Sequence, residues 1–226
     1  MKIQGTRLTG IRVKDIDLVY SGLTMQLDAA TYTSGTTWQD LSPNNADITL
    51  VNSPTHTSGA PSYFTFNSSS SQSGTGLTNN VLPTTAYTKS IWFYLNSLTD
   101  NNLISSEGGG HFMYLGGTNK IYCGHTDWPG YNLYASTASF STGNWYYAAL
   151  TFNTTDGMTL YVNGTLDSTY TAIKSAHTGT GTTNIGRFGA GNFLNGRIGQ
   201  VFCYNRSLSA AEIAQNYNST RTRYGL

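Results

Sequence analysis

Acid–base catalysis needs well-placed carboxylates, and this sequence offers few of them. Glu107 and Glu212 are its only glutamates. A glycosidase places two carboxyl groups across the scissile bond, but Glu107 lies in a glycine-rich run with no second carboxylate nearby. Glu212 follows Ser209 by three residues, which is the spacing of a capping box at the start of a helix. The sequence therefore predicts no catalytic residues, and we expect a protein that is not an enzyme.

Metal-ligating and nucleophilic side chains are scattered. No Gly-x-Ser-x-Gly nucleophile motif is present. His125 and Asp127 lie two positions apart, but two ligands do not complete a metal site. Calcium prefers six to eight oxygen ligands, and Asp100, Asp127 and Asp156 fall in separate predicted loops. We predict no metal and no cofactor, with calcium bound through backbone carbonyls left as an alternative. Surface or loop positions are expected for all four histidines, His56, His111, His125 and His177.

The segment from Gly110 to Tyr134 suits binding better than catalysis. A bound sugar packs its C–H face against an aromatic ring, and its hydroxyl groups form hydrogen bonds with polar side chains. This segment supplies both kinds of residue. Trp128, beside Pro129-Gly130, is expected in an exposed loop. The same aromatic residues would also suit a subunit interface, and this alternative stays open. The predicted glycan-binding residues are His111, Tyr114, His125, Asp127, Trp128, Tyr131 and Tyr134.

The composition indicates a neutral surface rich in hydroxyl groups. Charged residues make up 10% of the chain and the formal net charge is +1, so no strong field attracts nucleic acid or an anionic membrane. The first residues lack the apolar region of a secretory signal, and no apolar run is long enough to span a membrane. We therefore expect neither nucleic acid nor the membrane interior as a partner. Cys123 and Cys203 are expected to be small buried thiols.

Hydrophobic and aromatic periodicity predicts strands along most of the chain. Residues 87–95 and 145–153 have the β-branched and aromatic content typical of central strands. Asn163-Gly164 indicates a two-residue hairpin of type I′, which needs positive φ at both central residues. Glycine and proline clusters at 107–110 and 126–130 predict loops.

The stretch from Gly196 predicts one long strand followed at once by one short helix. Residues 196–204 alternate in polarity as a half-buried strand does. Ser209 is a favourable N-cap, and Leu208 and Ile213 occupy the two positions of a hydrophobic staple. A helix from Ser209 to about Tyr217 is too short to form half of an α/β fold, so the chain is expected to be all-β.

We divide the chain into three parts. Residues 1–20 mix basic, acidic and β-branched residues and read as an extended arm, which either adds a strand to the edge of the domain or docks on another subunit. Residues 21–217 form one main domain. Residues 218–226, which include Arg221, Arg223 and Tyr224, are expected to be a flexible or partner-ordered tail.

The order of several short motifs resembles one known group of folds. The motifs are residues 22–29, Trp38-Gln39-Asp40-Leu41-Ser42, 145–152, Leu160-Tyr161-Val162-Asn163-Gly164, Ile185-Gly186, 193–201, Tyr204 to Ser209, and Glu212-Ile213. In this order they are similar to the concanavalin A-like jelly rolls of the laminin-G-like and pentraxin-like branch. The resemblance implies a two-sheet antiparallel jelly-roll sandwich with one short C-terminal helix, whose last strand lies beside its first. It also implies glycan or protein binding, at loops on one edge or on the concave sheet.

The polar, lysine-poor texture without an export signal also resembles modules of bacteriophage virions, which implies a non-enzymatic module in a capsid-decorating, fibre or tail protein. On this hypothesis residues 1–20 contact other virion proteins, the exposed loops attach to a host cell-surface glycan, and the module is a homo-oligomer. The alternative is a free-standing lectin or adhesin domain that is extracellular or on the cell surface. A glucanase-like hydrolase is the third and least favoured hypothesis, because the paired carboxylates are missing.

Overall fold

A computed structural model describes residues 17–77, 81–99, 101–106, 110–127, 130–176 and 182–226. Most of the predicted arm, residues 1–16, lies outside this set. Within the described ranges the chain forms strands, three short 3-10 helices (Ala29–Thr31, Ser68–Ser70 and Arg221–Tyr224) and one α-helix, α1 (Ala210–Thr220). None of the helices in these ranges has the length and apolar content needed to cross a bilayer.

The strands follow one another with short connections. They are β1 (Leu23–Asp28), β2 (Thr37–Trp38), β3 (Ile48–Val51), β4 (Thr55–Thr57), β5 (Tyr63–Phe66), β6 (Ser73–Leu77), β7 (Ala86–Leu95), β8 (Asn101–Ser106), β9 (His111–Leu115), β10 (Ile121–Asp127), β11 (Gly130–Ala135), β12 (Trp145–Asn153), β13 (Gly157–Val162), β14 (Thr165–Tyr170), β15 (Thr182–Ile185) and β16 (Gly196–Tyr204).

These strands form two antiparallel sheets. The first sheet has the order β14-β13-β12-β7-β16-β5-β4, and β1 also pairs with β16. The second sheet has the order β11-β10-β9-β8-β15-β6-β3-β2. The predicted two-sheet all-β sandwich with one short C-terminal helix is therefore confirmed, and the Asn163-Gly164 turn joins β13 to β14 with positive φ at both residues.

Strand β16 is the centre of the first sheet. One side of β16 pairs with β7, while its other side pairs first with β5 and then with β1, from Gln200 opposite Asp28 to Tyr204 opposite Leu23. The register shifts between Ile198 and Gln200, at Gly199. A Cβ atom at Gly199 would lie 2.3 Å from the Tyr224 hydroxyl, so only glycine permits this close approach.

The main core lies between the two sheets. The first sheet contributes Ile91, Leu150 and Val201, and the second contributes Met113 and Ile121, all of them fully buried. Cys123 and Cys203 are also buried here as free thiols, which confirms the prediction for both residues.

A second apolar cluster lies on the outer face of the first sheet, beneath α1. Trp92, Tyr147, Phe202 and Tyr204 form its base, and Ile213 packs onto them from the helix. The capping box of Ser209 and Glu212 is present as predicted. The helix thus closes one half of this outer face.

The chain after α1 is ordered against the domain, and the expectation of a flexible or partner-ordered tail is wrong. Tyr224 is buried, and its ring stacks on Trp92 with ring centroids 4.1 Å apart. Arg223 forms an ion pair of 2.5 Å with Asp28 of β1. Long-range contacts therefore fix a segment whose local composition resembles that of a frayed terminus.

Candidate functional site

The segment expected to be a binding loop is instead three consecutive strands. Strands β9, β10 and β11 pair in order, and the ladder continues to Asp127 opposite Gly130. Thr126, Asp127 and Gly130 are therefore strand residues, so the loop predicted at 126–130 is wrong at these three positions, while residues 128 and 129 lie outside the described set. This arrangement fixes which predicted residues face outward and which face the core.

Two of the predicted site residues, His111 and His125, face inward, so the expectation that they lie at the surface or in loops is wrong. They are paired directly across β9 and β10 and are buried between the sheets. The Nε2 atom of His125 lies 2.9 Å from the carbonyl oxygen of Ser175, and its Nδ1 atom lies 3.2 Å from the hydroxyl of Tyr87. These contacts hold the ring inside the domain, away from any glycan on the surface.

A buried lysine explains why histidines lie in this core. Lys89 of β7 is fully buried; its Nζ atom donates to the carbonyl oxygen of Phe112 at 2.8 Å and lies 3.3 Å from Nδ1 of His111. Burial lowers the pKa of Lys89 to about 7, because the charged ammonium loses its hydration. The same desolvation raises the pKa values of Cys123 and Cys203 to about 12. This polar cluster is structural, with no described path to the surface.

Tyr134 also belongs to the interior. It is 7% exposed and stacks on Tyr170 with ring centroids 5.2 Å apart, and burial raises its pKa to about 12. Asp127 and Tyr131 lie on β10 and β11, while Trp128 lies outside the described residues. The predicted participation of Asp127, Trp128 and Tyr131 in binding stays a prediction.

Among the predicted site residues whose side chains the structure describes, Tyr114 is half-buried, whereas the others are buried. It lies on the outer face of the second sheet, directly opposite Tyr122 of β10, and the two half-buried rings stack with centroids 5.5 Å apart and an interplanar angle of 20°. Tyr122 lies against Gly116, where a Cβ atom would be 2.7 Å from its ring, and its hydroxyl lies 2.8 Å from Oγ1 of Thr118. We call Tyr114 and Tyr122 the tyrosine pair.

The amide side chains beside the tyrosine pair are buried and hydrogen-bonded within the domain. Asn102 of β8 is opposite Tyr114, is 4% exposed and donates from Nδ2 to the carbonyl oxygen of Asn192 at 3.1 Å. On β15, Asn184 is fully buried, and its side-chain oxygen accepts from Thr75 at 3.0 Å and from Nε of Arg187 at 3.2 Å. Both amides therefore contribute to the interior of the domain and not to an exposed surface.

Sequence reasoning found Tyr114 but missed Tyr122. A signal was available, because Tyr114 and Tyr122 flank the Gly116-Gly117 turn at positions that a hairpin brings opposite each other. In the described part of the chain, no group of three or more His, Cys, Asp or Glu side chains is arranged to hold a metal ion.

Comparison with known families agrees with this architecture. A laminin-G-type family model, described as the concanavalin A-like lectin/glucanases superfamily, matches residues 66–214. The chain belongs to this superfamily. No curated protein sequence matches the chain significantly.

Solved structures of similar fold include the binding domains of two toxins. The binding domain of Paraclostridial Mosquitocidal Protein 1 superposes with a TM-score of 0.71 at 18% identity, over 92% of this chain and 53% of that chain. The binding domain of botulinum neurotoxin DC in complex with rat synaptotagmin II gives 0.72 at 15% identity, over 92% and 52%.

A further structure is the same neurotoxin DC binding domain in complex with SialylT, with a TM-score of 0.71 at 15% identity, over 89% of this chain and 52% of that chain. At these identities the similarity shows the concanavalin A-like fold alone. The chain spans about half the length of each of these structures, so their ligands are not thereby assigned to the matched half.

Proposed function

We propose that this chain is a non-enzymatic carbohydrate-binding module that receives a glycan on the outer face of its second sheet. The observation that carries the proposal is the tyrosine pair: two stacked, half-buried rings on neighbouring strands, with the Tyr122 ring held against Gly116. Stacked aromatic rings give a flat apolar platform for the C–H face of a sugar.

The similar structures support this proposal through the ligands that they concern. One is a binding domain in complex with SialylT, and another concerns botulinum neurotoxin type C, whose cell entry depends on interaction with two ganglioside molecules. Both therefore concern binding. Within this chain, Glu212 is occupied by its ion pair with Arg206 and by the helix cap, which supports a module without hydrolytic function.

A glycan array with purified protein tests the proposal. The wild-type chain is expected to retain a subset of glycans, and Tyr122→Ala is expected to weaken binding about tenfold or more, as loss of one stacking ring at a binding centre does. Leu166→Ala is the control, because Leu166 is an exposed apolar side chain on β14 of the other sheet. Absence of any glycan signal for the wild type, or an equal loss in both variants, contradicts the proposal.

Trp128→Ala and Tyr131→Ala extend the same array to two further residues predicted from the sequence to bind. If the glycan also contacts these residues, both variants lose binding while the thermal midpoint stays unchanged. If only Tyr122→Ala loses binding, the glycan site is confined to the sheet face.

We further propose that the module is carried on a bacteriophage virion, as a homo-oligomer anchored through residues 1–20. Support comes from the neutral surface, with 10% charged residues, and from the resemblance described above. Deletion of residues 1–20 is expected to abolish incorporation into particles and to leave glycan binding intact. A free-standing lectin, the alternative, would show no such incorporation, and its glycan binding would be equally unaffected.

A further inference from the structure

The outer face of the first sheet carries a second cluster of aromatic residues, on the half that α1 leaves open. Arg197 of β16 is opposite Tyr94 of β7, and Tyr94 is opposite Trp145 of β12. Tyr63 of β5 completes the cluster, since its ring lies 5.7 Å from that of Trp145. All four side chains are half-buried. They lie on the face opposite Ile198 and Phe93, which belong to the core.

Arg197 lies between aromatic rings and not beside a carboxylate. Its guanidinium carbon is 4.9 Å from the centre of the Tyr63 ring and 4.4 Å from that of Tyr94. Trp145 contacts both tyrosines with ring centroids 5.7 Å away. The rings hold the guanidinium plane in one orientation, which removes most of the flexibility that an exposed arginine has.

The guanidinium has an open edge. Its Nε atom is enclosed and has no hydrogen-bond partner. The two terminal Nη atoms are not enclosed in this way. No described residue forms an ion pair or hydrogen bond with the guanidinium group of Arg197. Arg206 and Arg223, by contrast, are paired with Glu212 and Asp28. Arg197 is thus a fixed cation whose donors face solvent without a protein acceptor.

We propose that Arg197, Tyr63, Tyr94 and Trp145 form a binding site for a sugar that bears a carboxylate, such as a uronic or sialic acid. The Nη edge of a guanidinium matches the two oxygens of a carboxylate and binds them by two parallel hydrogen bonds. The ring faces of Trp145 and Tyr63 stand beside this edge, where a pyranose attached to the carboxylate stacks. The aromatic walls favour a sugar acid over an acidic peptide side chain, which has no such ring face. This site is on the opposite sheet from the tyrosine pair and does not depend on it.

Titration of wild-type protein with glucuronic acid and with N-acetylneuraminic acid, followed by Trp145 fluorescence and by calorimetry, tests the site. Saturable binding of at least one acid is expected, and it weakens as the salt concentration rises. N-acetylglucosamine, a neutral sugar, and a short polyglutamate peptide are the comparison ligands. Absence of saturable binding by both acids, or tighter binding of the peptide than of the acids, overturns the proposal.

Two variants locate the binding. Arg197→Gln removes the charge and is expected to lower the affinity for the acid at least tenfold. Arg197→Lys keeps the charge but loses the planar pair of donors and is expected to lower it severalfold. Binding of neutral glycans at the tyrosine pair stays unchanged in both variants, which separates this site from the proposed function. If Arg197→Gln does not fold, the Arg197→Lys variant tests the proposal instead. An affinity of this folded variant for the sugar acid equal to that of the wild type contradicts the bidentate site.

Discussion

At the scale of single residues, Lys89 is the least expected feature of the molecule. A lysine in a central strand would ordinarily point to solvent, yet its ammonium lies between the sheets among His111, Cys123 and Cys203. Two acceptors, the Phe112 carbonyl and the His111 ring, offset part of the desolvation cost. The folded protein thus keeps a group whose charge depends on pH near neutrality.

The buried lysine makes stability depend on pH in a definite direction. Unfolded Lys89 holds its proton up to its ordinary pKa of 10.5, whereas folded Lys89 loses it above about 7. Between these values the unfolded chain binds more protons, so the free energy of unfolding rises with pH, by at most about 1.4 kcal/mol per pH unit. Above about pH 9 the raised pKa values of Cys123, Cys203 and Tyr87 reverse the trend, because there the unfolded chain loses protons that the folded chain keeps.

Urea unfolding at pH 7.0 and pH 8.5 checks this expectation. The wild type is expected to be about 1–2 kcal/mol more stable at pH 8.5, and Lys89→Met is expected to abolish that difference while remaining folded. An equal pH dependence in Lys89→Met would show that another group is responsible.

At the scale of elements, α1 depends on its first turn. Ser209 accepts from the backbone of Glu212, and Glu212 accepts in return from the backbone of Ser209 and from Arg206. This arrangement lowers the pKa of Glu212 to about 2, with the Arg206 hydrogen bond as the largest cause. The contribution of Glu212 is therefore present above its ordinary pKa of 4.5 and is lost as the pH falls toward 2.

Removing the N-cap tests this element. Ser209→Ala is expected to lower the free energy of unfolding by about 1 kcal/mol, the usual cost of losing a cap. Ser219→Ala, near the other end of the same helix, is the control and is expected to have little effect. Urea denaturation measures both, and equal losses would mean that the cap is not the cause.

The segment after α1 is a structural element in its own right. Tyr224 covers Trp92, and Arg223 neutralises the buried carboxylate of Asp28. Removal of residues 221–226 leaves that carboxylate without its cation and exposes the indole, so a loss of about 3–5 kcal/mol is expected. A red shift of tryptophan emission accompanies the loss. Removal of residues 225–226 alone spares both contacts, and an equal effect there would contradict this account.

At the scale of the whole molecule, the two thiols report on whether the sheets stay closed. Cys123 belongs to the second sheet and Cys203 to the first, and both are fully buried. We expect neither thiol to react with a thiol reagent at pH 8 in native buffer, and both to react in one phase in denaturant. Fast labelling of one cysteine in the native protein would show that part of the sandwich opens separately.

The fold was largely predictable because its signals are local. The capped helix, the Asn163-Gly164 turn and the aromatic strands each depend on neighbours within a few positions. The site was less predictable, because the facing direction of His111 and His125 depends on strand register, which a shift of one residue would reverse. Tyr224 and Arg223 could not be placed either, since their partners Trp92 and Asp28 lie far away in sequence.

The position of β16 has a consequence for how the protein forms during synthesis. Strands β1, β5 and β7 all pair with β16, so each emerges from the ribosome with an open edge that only a much later segment covers. Unpaired edges of this kind invite pairing with other chains, and contacts so distant in sequence form slowly. The nascent domain therefore lacks its central strand until residues 196–204 have been synthesised. Because few of its residues are charged, we expect slower translation or a lower expression temperature to raise the yield of soluble protein more than stronger expression does.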